Sequence, residues 1–290
     1  MAITAKHPTA AGMEIEAGAR TDTGRVRKNN EDSFAIAEEI SLFVLSDGMG
    51  GHASGEVASR LAVATIVAHC RAAEANPSLE LSGYRIPGVT DTSNRLASAI
   101  RLANLAVNEA ALKYAGAPDS KRAGMGATVV AAQIIDGRLS VAHVGDSRAY
   151  RLRGDTFKQL TEDHSFVAEQ VRRGMLSEQE ARHSNLQNVL VRALGVEPEV
   201  IVDVIEEVLL EDDTLLLCSD GLTRELSDTQ IAAVLKDADG ADDAASSLVD
   251  LANQAGGGDN ITAVVLRCGM KPTGAFAQVG RLGKWLRNSR

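Results

Sequence analysis

Two hydrophobic periods alternate along the chain. In some stretches apolar residues fall at every second position, which gathers them on one face of a strand. In others they recur three and four apart, as on one face of a helix. The clearest case is Gly126–Thr161, "GATVVAAQIIDGRLSVAHVGDSRAYRLRGDTFKQLT", which alternates around the turns Asp136-Gly137 and Gly154-Asp155 and predicts an antiparallel meander. "EIEAGARTDTG" (14–24) predicts a strand and turn, and "DSFAIAEEISLFVLSDG" (32–48) two strands with "AEEIS" at the turn. "SGEVASRLAVATIVAHCRAA" (54–73) predicts a helix capped by Ser54 with Glu56 in its first turn. A second helix is predicted over 93–116, with Leu96, Ile100, Ala103 and Val107 on one face and Gly116 as its stop. Between them, 74–94 is a long irregular connection.

The polar stretch 163–188 breaks the strand pattern and predicts two short helices in an appended flap. "EVIVDVIEEVLL" and "DTLLLCSDG" return to strand, helices follow near 228–237 and 241–255, and "DNITAVVLRC" (259–268) is a last strand. The class is α+β, antiparallel strands with helices packed on the sheet faces. Residues 1–12 read as a loose N-terminal tail, 13–268 as the catalytic domain and 269–290 as a basic C-terminal tail.

Composition narrows the partners. The net charge of -9 argues against a nucleic-acid backbone as the main partner. The three cysteines, Cys70, Cys218 and Cys268, form no CxxC pair and no C-x₅-R loop, so neither a thiolate zinc site nor cysteine-based phosphatase chemistry is expected. With no signal-peptide core and no apolar run of membrane length, the expected location is the cytoplasm. The C-terminal tail carries Lys271, Arg281, Lys284, Arg287 and Arg290 and no acid, and Phe276, Val279, Leu282 and Trp285 or Leu286 recur at near-helical spacing. Membrane contact by this tail is the less favoured alternative to a tail that packs on its own domain or frays.

Candidate chemistry lies in an echo. "LFVLSDG" at 42–48 recurs as "LLLCSDG" at 215–221, and Asp32, Asp47, Asp146, Asp220 and Asp259 all sit at the edges of apolar strands. Each alone reads as a turn residue. Together, if a sheet aligns the strand ends, they would repel one another unless a hard divalent cation intervenes. Ligands that are all oxygen point to Mg²⁺ or Mn²⁺; no EF-hand loop favours calcium. Two such ions can activate water and clamp a phosphoryl group. "GMGGHASGE" is neither a P-loop nor GxGxxG; its glycines suit a close backbone approach to a metal, with the Gly48 carbonyl as a ligand. His52 reads either as a general acid or as an exposed loop histidine, and in "RVRK" Arg25, Arg27 and Lys28 are all available to a phosphate.

The motifs "GRVRKNNED", "SDGMGGHASGE", "GATVVAA", "VGDSRAY", "LTEDHS", "LVRALG", "LCSDGLT" and "GGGDNITAVV", in this order over about 14–268, resemble the metal-dependent Ser/Thr protein phosphatases (the PPM, or type 2C, family) in their bacterial form. The resemblance implies an αββα sandwich of two antiparallel sheets flanked by helices. It implies two Mn²⁺ or Mg²⁺ ions and hydrolysis of phosphoserine and phosphothreonine by direct attack of a metal-bridging water. Asp47 and the Gly48 carbonyl would hold metal, as would Asp220 and Asp259. Asp32 matches the acid of the first motif, Asp146 with Asp220 a weaker third ion, and Arg27 the phosphate-binding arginine. Phosphorylated proteins, among them Ser/Thr kinases and their substrates, would be the partners. Two departures stand out: Met49 occupies the place where animal members have a histidine after the metal-binding glycine, and Arg224 that of an acid, which weakens the third site. A catalytically silent binding module and a hydrolase of small phospho-metabolites are the alternatives; the intact acid set weighs against the first.

Overall fold

The computed structural model describes residues 5–8, 13–50, 53–115, 124–182 and 184–270. In chain order the elements begin with β1 (Ala5–Pro8), β2 (Met13–Asp22), β3 (Asp32–Ala37), a short 3₁₀ turn (Glu38–Ile40) and β4 (Leu42–Met49). Two long helices follow, α1 (Ala53–Ala75) and α2 (Asp91–Ala115). The predicted meander is instead two hairpins in different sheets: after β5 (Gly126–Ala127), β6 (Val129–Ile135) pairs with β7 (Arg138–Val144), the chain crosses to the other sheet through Gly145–Ser147, and β8 (Arg148–Arg153) pairs with β9 (Thr156–Gln159), because strands buried on both faces read alike in either sheet. Next come α3 (Phe166–Arg172), α4 (Glu178–Arg182), β10 (Asp203–Val208) and β11 (Thr214–Cys218). The described chain closes with α5 (Asp220–Glu225), α6 (Asp228–Asp237), α7 (Ala241–Ala255) and β12 (Ile261–Met270).

The strands form two sheets with orders β1-β2-β12-β11-β8-β9 and β10-β7-β6-β4-β3, every pairing antiparallel. Their near-continuous apolar runs are explained by burial on both faces. In β4, Leu42 and Val44 join the layer beneath α1 and α2, while Phe43 and Leu45 face the other sheet. In β12, Val264 and Leu266 point between the sheets, while Ala263 and Val265 point to α5, α6 and α7. Three apolar layers therefore hold four layers of structure, the αββα sandwich expected. Alanine at many of these positions lets elements approach closely, consistent with an aromatic content of only 3%.

Several expectations change. Ser54 is not the cap of α1: the helix begins at Ala53, and the buried Ser54 hydroxyl has no partner among the described residues. The 1–12 tail is not wholly loose, because Ala5–Pro8 pairs with Glu14–Ala17 and so satisfies part of an otherwise open edge of β2. The 74–94 connection is tied down: Arg101 Nη1 donates to the Ser82 and Tyr84 carbonyls, and its guanidinium lies 4.2 Å from the Tyr84 ring centre. In the 163–188 segment both predicted helices form, and Ser165 caps α3 by accepting from the Ala168 amide. α6 starts on a capping box between Ser227 and Gln230. Gly116 and the 271–290 segment lie outside the described residues.

Candidate active site

The acids converge where the two sheets meet. Asp47, near the end of β4, is the direct cross-strand partner of Asp32, the first residue of β3. Asp32 also joins the sheets. Its Oδ2 accepts from Ser219 Oγ at 2.8 Å and Thr262 Oγ1 at 2.6 Å, both in the opposite sheet's connections and strands. Asp47 is braced through its backbone: its amide donates to Thr128 Oγ1 at 3.1 Å and its carbonyl accepts from the Thr128 amide at 2.8 Å. Asp146 lies in the β7–β8 turn. Asp220 is the first residue of α5 rather than the end of a strand, and Asp259 sits just before β12.

The loop that carries Arg27 is held by Asn260. Its side chain donates to the Thr23 and Asn29 carbonyls at 2.9 Å each and accepts from the Glu31 amide at 2.8 Å. Arg27 lies at the cleft rim with Nη2 2.8 Å from Asp259 Oδ2. Arg224, one helical turn after Asp220, pairs with that acid and reaches Asp259 Oδ2 at 3.3 Å. The cleft has a volume of about 390 Å³ and is lined by Arg27, Lys28, Asp47, Gly48, Met49, Asp146, Asn188, Leu190, Asp220, Arg224 and Asp259, among others. A larger groove of about 590 Å³ between β3 and α1 touches Asp32 alone of the five acids.

Burial is the main cause of the acids' electrostatics. It pushes Asp47 well above the usual carboxylate range, reinforced by the charges of Asp32, Asp220, Asp146 and Asp259. Burial raises Asp32 to about 7 despite the Thr262 and Ser219 hydrogen bonds, and Asp146 to about 8, with Asp220 adding to both. Asp220 is raised by burial, against the pull of Arg224. Among the described residues, Asp32 Oδ1 and Asp220 Oδ1 are buried without a hydrogen-bond partner. A cluster of hard oxygen donors that retains protons, with orphaned buried oxygens, fits divalent cations of the Mg²⁺ or Mn²⁺ type.

The glycine loop does bring backbones together, but its partner among the described residues is protein. A Cβ on Gly48 would lie 2.1 Å from the Gly55 carbonyl oxygen, so the end of β4 packs directly on the first turn of α1. His52 lies outside the described residues. Sequence reasoning missed Asn260, Ser219 and Thr262 as supports. It read Arg224 only as a lost acid, although four-residue spacing from Asp220 on one helix would have signalled the pairing.

Comparison with known proteins agrees with this geometry. The model of the protein phosphatase 2C family matches residues 23–255. The serine/threonine phosphatase stp of Listeria welshimeri is 36% identical over 261 residues, covering 89% of this chain and 98% of that protein. The serine/threonine protein phosphatase PstP of Mycobacterium tuberculosis is 39% identical over 254 residues, 87% of this chain but 45% of that longer protein. A crystal structure of a PstP catalytic domain in complex with two manganese ions superposes with a TM-score of 0.71 at 35% identity, covering 89% of this chain and 99% of that one. A sandwich that closes four aspartate carboxylates on one cleft, with Asp32 buried behind them, and that is matched along its length by such enzymes, identifies the chain as a member of the protein phosphatase 2C family and a metal-dependent Ser/Thr phosphoprotein phosphatase.

Proposed function

We propose that Asp47, the Gly48 carbonyl, Asp220 and Asp259 hold two Mn²⁺ or Mg²⁺ ions, with Asp32 beside them, and that Asp146 with Asp220 holds a weaker third. The observation that carries this is the buried acid cluster itself, in which Asp32 is raised to about 7, Asp146 to about 8 and Asp47 higher than its usual range. Bound ions would supply an activated water and offset charge on the phosphoryl oxygens.

The chain's own residues do the rest. Ser219 and Thr262 orient Asp32, and Thr128 holds the backbone of Asp47. Arg27 stands at the rim on a loop fixed by Asn260, where its guanidinium can turn from Asp259 to a substrate phosphate and bind it through two N–H groups. Phosphoserine and phosphothreonine proteins are the substrates, Ser/Thr kinases and their targets among them, and the cytoplasm is the site of action. Among the described residues no helix is long and apolar enough to cross a membrane. The test is phosphate release from phosphoserine, phosphothreonine and phosphotyrosine peptides with Mn²⁺ and with excess EDTA. Turnover that persists in EDTA, or in Asp220→Ala, overturns the assignment.

A further inference from the structure

We propose that His164 is a positioning residue for Asp146: one face of its imidazole edge fixes the Gly145–Asp146 turn, and Asp203 with Arg192 fixes the ring. The proposal rests on the reading of Asp146 as a ligand of the weaker third ion.

The turn is gripped on both of its polar groups by one residue. The Gly145 amide donates to His164 Nδ1 at 3.0 Å, and the His164 amide donates to the Gly145 carbonyl at 3.0 Å. On its other side Gly145, at φ +108°, lies so close to Thr128 that a Cβ would sit 2.6 Å from the Thr128 Cβ. Thr128 is the residue that receives the Asp47 amide. The Gly145–Asp146 turn therefore has no slack: a shift away from His164 would also disturb the support of Asp47.

The chemistry of the ring follows from its partners. A backbone amide can only donate, so Nδ1 carries no proton and the ring hydrogen is on Nε2. Nε2 then donates to Asp203 Oδ2 at 3.1 Å, while Arg192 Nη1 donates to Asp203 Oδ1 at 2.7 Å. The 3.1 Å approach of Arg192 Nη1 to Nε2 brings two hydrogen-bearing nitrogens together, so Asp203 is their shared acceptor. The hydrogen bond from His164 leads the causes that hold Asp203 well below the usual carboxylate range. His143 stacks on the ring with centroids 4.7 Å apart. This arrangement fixes a tautomer as acids do behind metal-bound histidines, here with a backbone amide in place of a metal. A cation among His143, His164 and Asp203 is a weaker reading, because Nδ1 is taken and a guanidinium already sits on Asp203. The His164 carbonyl also accepts from the Val191 amide at 2.8 Å, so the same residue anchors the return of the 163–188 segment.

The test uses the full chain and half-mimics of histidine. Asparagine places an acceptor oxygen where Nδ1 stands; glutamine reaches the Nε2 position and leaves Gly145 unpaired. Mn²⁺ binding is measured by calorimetry, and hydrogen exchange of the Gly145 amide is measured in EDTA. His164→Gln and His164→Ala should weaken the third binding event and speed Gly145 exchange by about tenfold each, the cost of one buried donor left unpaired, while His164→Asn stays within about threefold of wild type. Equal behaviour of Asn and Gln, or no change in any variant, overturns the proposal; if His164→Ala does not fold, the Asn and Gln pair decides. Asp146→Ala separates the two readings. If it leaves the weak binding event intact, the third-ion assignment fails, and Gly145 exchange, which needs no ion, still decides the role of His164.

Discussion

Removing the ions should make this protein less stable as pH rises from 6.5 to 8, the reverse of what its bound ions impose. The perturbation is a pH series in EDTA. Asp146 has its pKa raised by burial to about 8 and Asp32 to about 7, whereas in the unfolded chain both titrate near 3.8. A raised native pKa gives stability that is complete below the unfolded value and is lost as pH climbs through the native one. With 1.36 kcal/mol per proton per pH unit, Asp146 loses about 1.5 kcal/mol over this window and Asp32 somewhat under 1, about 2 kcal/mol together. For a chain of this size that is a fall in Tm of roughly 5 °C.

Asp47, which burial raises well above its usual range, adds to the fall across the same window. His143 and His69 have lowered pKa values caused by burial, and they oppose the trend at the lower end of the window, fading within about one pH unit above 6.5 as the unfolded rings lose their protons. The three buried cysteines are pushed up to about 12 and add to the fall only above about 8, where unfolded thiols ionise. Asp203, held low, matters only in acid. The assay is urea unfolding followed by circular dichroism at four pH values, with and without saturating Mn²⁺. In Mn²⁺ the slope should invert, because cations displace the protons and bind more tightly as pH rises. Asp146→Asn should reduce the EDTA slope by the Asp146 share, about 1.5 kcal/mol over the window. A metal-free stability that is flat or rises between pH 6.5 and 8 would refute the electrostatic account of the cluster.

Three further outcomes are expected. Arg27→Ala should lower kcat/KM by the value of a charge-assisted contact, roughly 1.5–3 kcal/mol or about 10- to 150-fold, chiefly through KM; an unchanged kcat/KM would redirect attention to Lys28, which lines the same cleft. Gly48→Ala drives a Cβ to 2.1 Å from the Gly55 carbonyl oxygen and should cost about 1–3 kcal/mol or more of metal-free stability by chemical denaturation; a loss below experimental error would show that α1 can retreat without cost. Shortening the 163–188 segment, whose Asn188 reaches the cleft, should reduce turnover of phosphopeptides more than that of p-nitrophenyl phosphate, and equal losses would give the segment a purely structural role.

The sandwich was legible because its strands are buried on both sides. Leu42–Leu45 and Ala263–Leu266 read as short continuous apolar runs, and the Gly-containing turns marked the β6–β7 and β8–β9 hairpins, whereas the crossing from one sheet to the other between β7 and β8 left no local mark. Short elements were not legible. The six-residue α5 follows Ser219 directly, and "SDGLT" has the local look of a strand ending in a turn. What makes it helical is long-range: Gly221 packs against the Asn260 carbonyl, with room for no side chain, and Leu222 is buried beneath α7 and its neighbours. The strand β1 was hidden for a related reason, since it pairs with the edge of β2 that β12 leaves open, a non-local arrangement that its own four residues do not signal.

The acids themselves were legible for a physical reason that does not extend to their surroundings. A carboxylate at the end of an apolar strand is a local pattern, and its repetition marks a common destination. The charge state of that destination is set by partners from distant parts of the chain. Asp32 is bonded by Ser219 and Thr262, 187 and 230 residues away in sequence, and Asp259 by Arg27 from 232 residues away. Arg224 shows the consequence most plainly. Read by position, it subtracts an acid from a metal site; read in place, it adds a fixed cation between Asp220 and Asp259 and lowers the pKa of Asp220 and Asp146 against their burial. Replacing a carboxylate by a guanidinium at that point changes the local charge by two units. A third ion at Asp146 and Asp220, as proposed, would therefore bind in competition with an arginine as well as with protons, and its affinity would be governed by a residue that the pattern of acids does not contain.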